Sequence, residues 1–384
     1  EESPGDLSAD PLQMGRFFCT AACTIPEVDT QTLDFDPTCI PGHSGSHQNN
    51  VDLTDETLRP VAAWPRPYAT LFHTEYSGFT RVESFMGSQE YDLFGWSVDM
   101  SSDGLSFVGG ANDEDYSYDT NYGHTQSSND PGYVQVYHDV GGTWTDRGTL
   151  PGFNTQSISS KCGNQVAIAD NGNKIAIYQP NGAATDQGWY IYTYDGSTWT
   201  GAGFIQETPL VISRGQEKGA HMAMSANGNV LVVGYPEYSN ERGLVRAYDV
   251  STSTPAQLGA DFTETVAGVH LGKAIAVNSD GTRIVLGRSD DDSDDSNGVT
   301  TPSRVYEYSN GAWTQLGGSL DTDSVVGGNP DAISERHGVA VAMSASGDTV
   351  AVSAYGKDGV SPGYVDTFDL VNQVTWMRRP EVSR

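Results

Sequence analysis

The stretch that decides the fold runs from Phe94 to Ala111 and reads FGWSVDMSSDGLSFVGGA. Two short runs with strand character flank a Ser-Asp-Gly turn at 102–104, and polar residues alternate with Val98 and Met100 in the first run. An Asp-Gly turn between two such runs is a strong hairpin signal, because glycine readily takes the positive φ that the turn needs. The stretch therefore predicts a β-hairpin.

Similar hairpins recur four more times along the chain. Their turn glycines, spaced by 68, 56, 53 and 66 residues, are Gly104, Gly172, Gly228, Gly281 and Gly347. Each hairpin is followed by a polar loop and by a third strand-like run, such as GYVQVYHD from Gly132. Several repeats add a fourth run that carries a tryptophan near its start, namely Trp144, Trp199, Trp313 and Trp376. Four strands in a unit of this length indicate the blade of a β-propeller.

The repeats predict an all-β fold, a β-propeller of four-stranded antiparallel blades over residues 61–384. Five full repeats and two further strand-like runs between residues 61 and 92 favour six blades, with five or seven as open alternatives. The runs at 68–76 and 79–87 resemble the second half of a repeat whose first half is degenerate. Residues 1–60 contain six prolines and no sustained periodicity, and they predict an irregular N-terminal arm.

The net charge of the chain excludes some classes of binding partner. With 50 acidic and 20 basic residues, the formal net charge is −30. Nucleic acids and anionic membrane surfaces would be repelled, so neither is expected as a partner. No apolar run approaches the ~20 residues of a membrane helix, so no membrane insertion is predicted.

The number and placement of the four cysteines indicate in which cellular compartment the protein works. Cys19, Cys23 and Cys39 cluster in the arm, and Cys162 stands alone among the repeats. An even count predicts two disulfides in an oxidising compartment, with the pairing open. Cys162 is either a buried free thiol or the partner of an arm cysteine. The first residue is Glu, which fits removal of a leader, and we expect a secreted or cell-surface protein, with an organelle lumen as the alternative.

Phe94-Gly95 followed by Gly109-Gly110-Ala111 resembles the FG-GAP repeat, the blade unit of integrin-α-type propellers. The hairpins and their third strands are also similar to repeats of secreted algal and bacterial propellers. The resemblance covers about 90–380 and implies a β-propeller. Members of the family often bind calcium through Asp-x-Asp-x-Asp-Gly in the hairpin turn. The turns of this chain read SSDG, DNG, SANG, NSDG and SASG and lack those carboxylates.

Two acidic loops outside the turns are candidate calcium sites. The candidate ligands are Asp113, Asp115 and Asp119 in the first repeat and Asp290, Asp292 and Asp294 in the fourth. Carboxylates at alternate positions suit a hard cation that takes six to eight oxygen ligands. Both loops join the second and third strands of a repeat, so they are predicted on the same face of the ring. Calcium is therefore the expected cofactor of a contact surface, and a solvated acidic loop is the competing interpretation.

Catalytic motifs are scarce in this sequence. No Ser-His-Asp arrangement and no glycine-rich phosphate loop can be assembled. His221, His270 and His337 occupy matching places before inner strands, which indicates repeat architecture. A sialidase-like site would need an arginine triad on inner strands. The arginines near predicted blade edges are Arg214, Arg242, Arg288 and Arg336, but their partners cannot be placed from the sequence.

These observations predict a non-catalytic protein. We expect an extracellular or lumenal binding or structural component, whose propeller face contacts glycans or other proteins of an extracellular assembly in adhesion. The alternative is a propeller enzyme, a hydrolase or lyase, that acts on polysaccharide.

Overall fold

The computed structural model describes residues 68–75, 78–88, 92–112, 132–151, 160–180, 185–206, 221–288, 302–320, 335–356 and 364–379. These residues form 23 β-strands and one four-residue helical turn. None of the helices in these ranges is long and apolar enough to cross a membrane.

The strands group into sheets in chain order. A two-stranded sheet comes first, formed by β1 (Tyr68–Glu75) and β2 (Gly78–Met86). Blade 1 contains β3 (Phe94–Met100), β4 (Ser106–Ala111), β5 (Tyr133–Asp139) and β6 (Trp144–Pro151). Blade 2 contains β7 (Gln165–Ile168), β8 (Lys174–Gln179), β9 (Gly188–Tyr194) and β10 (Trp199–Gln206).

The later blades follow the same order. Blade 3 contains β11 (His221–Met224), β12 (Val230–Tyr235), the turn α1 (Tyr238–Glu241), β13 (Leu244–Asp249), β14 (Ala256–Gln257) and β15 (Phe262–Thr263). Blade 4 contains β16 (Ile275–Val277), β17 (Arg283–Leu286), β18 (Arg304–Ser309) and β19 (Ala312–Gln315). Blade 5 contains β20 (Glu335–Met343), β21 (Thr349–Gly356), β22 (Tyr364–Val371) and β23 (Thr375–Arg378).

Neighbouring strands in each blade are antiparallel and consecutive in the chain. In blade 3 the outer strand is divided, since β14 and β15 both pair with β13. Consecutive inner strands, β3, β7, β11, β16 and β20, lie in contact from blade to blade. The predicted all-β propeller of four-stranded antiparallel blades is therefore confirmed, with five complete blades and one two-stranded sheet among the described residues.

The hydrophobic core lies between the blades. Both faces of an inner blade carry apolar side chains, which pack against the blades on either side. The junction of blades 2 and 3, for example, buries Trp189, Leu231 and Val233 completely. A blade cannot bury both of its faces alone, so burial of apolar surface holds the blades next to one another.

Glycines allow the backbones of neighbouring blades to touch. The glycine before an inner strand lies on the glycine that ends the second strand of the preceding blade. A Cβ atom added to Gly110 would overlap the carbonyl oxygen of Gly163, and one added to Gly234 would lie 2.5 Å from the carbonyl oxygen of Gly272. Any side chain at these positions would force two blades apart.

The hairpin turns at the opposite end are joined by backbone hydrogen bonds. The amide of Asp170 in blade 2 donates to Ala226 O at 2.8 Å, and that of Asn227 in blade 3 donates to Ser279 O at 3.0 Å. Ser279 in blade 4 continues the series by donating to Ala345 O at 2.9 Å. Blades 2 to 5 are therefore linked turn to turn.

Tryptophans join the outer strands of blades 3, 4 and 5, with each later blade donating to the blade before it. The indole N–H of Trp313 in blade 4 donates to Leu258 O in blade 3 at 2.9 Å. That of Trp376 in blade 5 donates to Leu316 O in blade 4 at 2.8 Å. In blade 1, Trp144 packs against Phe85 of β2, with ring centroids 5.9 Å apart. The two-stranded sheet thus takes the position that a preceding blade's outer strands would occupy.

Candidate functional site

Most of the site residues predicted from sequence lie outside the described residues. They are Cys19, Cys23, Cys39, Asp113, Asp115, Asp119, Asp290, Asp292 and Asp294. Within the described ranges, no group of three or more His, Cys, Asp or Glu side chains is arranged to hold a metal ion.

Cys162 is described, and it is a buried free thiol. Burial raises the pKa of the Cys162 thiol to about 12, so it stays protonated at neutral pH. Because the thiolate is the reactive form, this cysteine is chemically inert in the folded protein. Of the two alternatives for Cys162, the structure shows the free thiol.

Charged side chains instead collect at the junction of blades 3 and 4, at the end of the propeller opposite the hairpin turns. We call this group the charged cluster. Its members form two groups, His270 with Glu237 and Glu241, and Glu264 with Arg288 and Arg304.

One half of the charged cluster is held in place by a strained backbone. The turn α1 is left-handed, with φ of 55°, 60° and 62° at Ser239, Asn240 and Glu241, and His270 has φ of 47°. Each non-glycine residue in this region costs about 1–2 kcal/mol, so the conformation must be held by its surroundings. Two backbone hydrogen bonds hold it, since the His270 amide donates to Glu241 O at 2.7 Å and that of Gly268 donates to Asn240 O at 3.2 Å.

His270 lies between two carboxylates. Its side chain is buried, with Nδ1 3.3 Å from Glu237 Oε1 and Nε2 3.9 Å from Glu241 Oε2. The two flanking carboxylates orient the imidazole, which is the side chain that most often transfers protons in catalysis. The arrangement can therefore perform general acid–base chemistry.

Two arginines share a single glutamate in the other half. Arg288 is 2 % exposed and its Nη2 forms an ion pair with Glu264 Oε1. Nη1 of Arg304 lies 3.4 Å from the same oxygen. Burial, and then the nearby positive charge of Arg304, lower the pKa of Arg288 to about 10, which leaves it charged at neutral pH. Two guanidiniums and one carboxylate sum to a net charge of +1.

The blade architecture brings the two halves together. The amide of Gly272 donates to Gly287 O at 3.2 Å, which places the segment of His270 against that of Arg288. Leu286 pairs with Arg304 in adjacent strands, so Arg288 and Arg304 project from the same face of blade 4. That face meets blade 3, where Glu264 directly follows β15.

A second candidate is a cleft of about 630 Å³ between blades 1 and 2, at the turn end. Its polar groups already serve the fold. The guanidinium of Arg147 lies 4.7 Å from the ring centroid of Tyr194, and Asp195 accepts hydrogen bonds from the amides of its own turn. His138 Nδ1 is 2.8 Å from Ser106 Oγ, and this contact joins two paired strands of blade 1. We therefore regard this cleft as structural.

The comparisons with known proteins concern the fold. No protein family and no curated protein matches the sequence. Among solved structures, a candidate 6-phosphogluconolactonase from Bacteroides fragilis is 12 % identical, with a TM-score of 0.48 over 81 % of this chain and 76 % of that one. One from Bacteroides uniformis is 11 % identical, with a TM-score of 0.49 over the same shares. A candidate TolB from Agrobacterium tumefaciens is 14 % identical, with a TM-score of 0.39 over 78 % of this chain and 83 % of that one.

These structures are β-propellers, and at such identities the likeness describes architecture alone. Two of them are nevertheless named as enzymes. The prediction of a non-catalytic binding or structural protein is contradicted by this finding, because the propeller architecture from which it was inferred occurs in chains that carry enzyme names.

Proposed function

We propose that the chain is a propeller enzyme, a hydrolase or lyase, that acts on polysaccharide at the charged cluster. The observation that carries the proposal is His270, a buried imidazole with a carboxylate beside each ring nitrogen and in left-handed backbone. Strained residues and buried titratable groups are expensive for a fold, and they concentrate at functional sites.

The cluster contains both kinds of group that these reactions require. A hydrolase needs a base that activates water, and a lyase needs a base that removes a proton next to the sugar carboxylate. His270 is the group that we assign to proton transfer, with Glu237 and Glu241 as positioning residues. In elimination, negative charge develops on the oxygens of the sugar carboxylate, and Arg288 and Arg304 supply fixed positive charge to stabilise it. In hydrolysis the transition state is oxocarbenium-like, so there we assign the two arginines to substrate binding.

Turnover of polysaccharides tests the proposal. The protein is incubated with neutral and acidic polysaccharides, and new reducing ends and unsaturated products are measured separately, because only elimination yields the unsaturated sugar. We expect His270→Asn to reduce turnover by about 100-fold or more, as loss of a general acid–base group does. His138→Asn, in the turn-end cleft, is the matched control and should retain turnover. Absence of turnover on every substrate, or full turnover by His270→Asn, would refute the proposal.

We further propose an FG-GAP type of propeller that acts outside the cell, at its surface or in an organelle lumen, where glycans are the partners. The contacts between blade glycines support the repeat type. Disulfides among the arm cysteines and calcium at the two acidic loops are supported by the sequence alone. Titration calorimetry with calcium tests the second point, and absence of both heat and a shift in melting temperature would exclude it.

A further inference from the structure

We infer that Arg288 and Arg304 form a binding site for a carboxylate-bearing sugar, a uronate, and that Glu264 occupies this site when no sugar is bound. The role of the site as a substrate site rests on the proposed function, but binding can be measured without turnover.

The first argument is charge. The chain carries a formal net charge of −30, yet two arginines here converge on one carboxylate oxygen. Arg288 is buried and shares its carboxylate partner with the partly exposed Arg304, and a buried positive charge that lacks a full partner favours a bound anion. A carboxylate brings the group to neutrality while Glu264 stays nearby, whereas a phosphate dianion would leave an excess of negative charge.

The second argument is the unused part of the guanidinium. An arginine presents five N–H donors in a planar fork that matches both oxygens of a carboxylate. The Nε of Arg288 is buried and donates no hydrogen bond to the described residues, and its Nη2 reaches only one oxygen of Glu264. Arg288 and Glu264 therefore do not form the paired contact, with both carboxylate oxygens, that arginine favours.

The third argument is access. Exposure of the three side chains falls from 31 % at Arg304 to 15 % at Glu264 and 2 % at Arg288. A sugar carboxylate that arrives from solvent therefore meets Arg304 first and reaches Arg288 by displacing Glu264. Competition between two carboxylates for the same arginines follows from this order.

The competition can be tested by calorimetry with oligogalacturonate as the probe and neutral galactose oligomers of the same length as the control. We expect the wild-type protein to bind only the acidic oligomer. Arg304→Gln, at a partly exposed position, should weaken that binding at least tenfold. Glu264→Gln should bind several-fold more tightly, because the internal competitor has lost its charge. A purely structural ion pair predicts no binding by any variant.

Arg246→Gln is the matched control, since Arg246 lies outside the charged cluster and forms two hydrogen bonds of 2.9 Å with Asp261 in blade 3. It should bind as the wild type does. Failure of the wild type to bind, binding of inorganic phosphate in place of the uronate, or unchanged affinity in Arg304→Gln would overturn the inference. Tight binding without turnover would refute the proposed enzyme and leave the anion site intact. Turnover of a neutral polysaccharide by a wild-type protein that does not bind oligogalacturonate would do the reverse.

Discussion

The contact between Gly110 and Gly163 offers the sharpest test of how the blades fit together. Gly110 is not in the left-handed region, so its replacement by alanine introduces no backbone strain of its own. The new Cβ would overlap the carbonyl oxygen of Gly163 and lie 2.9 Å from its carbonyl carbon and 2.5 Å from Ser97 Oγ. The substitution therefore isolates the steric requirement between blades 1 and 2.

The size of the effect follows from these distances. Carbon atoms in contact prefer about 3.5–4.0 Å, so blade 2 must move by about 0.6–1 Å. Ser97 can rotate away, but the Gly163 carbonyl belongs to the backbone, and overpacking of this kind costs about 1–3 kcal/mol. Ser97 Oγ also donates to Gly163 O at 2.7 Å, and loss of that hydrogen bond adds about 1 kcal/mol. We expect a total of about 2–4 kcal/mol.

Gly201→Ala provides the control. Gly201 also has φ outside the left-handed region, but an added Cβ would meet no atom within 4 Å. Its effect should stay within about 0.5 kcal/mol, as for most surface substitutions. Urea unfolding of both variants and the wild type measures the difference through the midpoint concentration. Equal midpoints for Gly110→Ala and Gly201→Ala would show that the blades do not meet at these glycines.

Two further predictions concern stability. Burial and the nearby positive charge of Lys273 lower the pKa of His221 to about 4, against about 6.5 in an unfolded chain. As the pH falls, His221 is therefore protonated in the unfolded chain before it is protonated in the folded one. Up to about 3 kcal/mol of stability should be lost between about pH 6.5 and about pH 4. In urea unfolding, His221→Gln should flatten this pH dependence, and an unchanged slope would exclude His221 as its source. Trp376→Phe removes the hydrogen bond to Leu316 O and should cost about 1 kcal/mol or more of stability in thermal unfolding. Trp96→Phe, at a half-exposed side chain, is the control and should cost nothing measurable. Equal losses would contradict the role of the Trp376 hydrogen bond in joining blades 4 and 5.

The blades could be predicted from sequence because their signals are local. A glycine such as Gly104 or Gly172 is required by the φ of a tight turn, and the neighbouring strands pair with residues close by in the chain. The glycines between blades can be identified from the same repeats, but their steric role is explained only by the packing of one blade on the next. The two strands of the sheet before blade 1 can also be predicted, since they pair with each other and are separated by two residues in the chain.

The charged cluster could not be predicted in the same way. Glu237, Glu264 and Arg304 come from three separate segments, and no motif spacing links them. Their segments lie side by side only because blade 3 packs on blade 4, which is a long-range consequence of burying apolar surface. His270 was interpreted as repeat architecture because its place before an inner strand matches that of other histidines. What distinguishes it is its two glutamate neighbours, of which Glu237 lies 33 positions earlier in the chain.

The turn-to-turn hydrogen bonds between blades have an evolutionary consequence. Turn glycines lie between 53 and 68 residues apart, yet the bonds that link Asp170, Asn227 and Ser279 to the next blade have nearly the same length. Differences in repeat length are therefore absorbed at the opposite end, where second strands end and third strands begin. The geometry at the hairpin-turn end of the propeller is constant, whereas loops at the opposite end can gain or lose residues without changing how the strands of a blade pair. New specificities can thus arise by insertion at the end that carries the charged cluster.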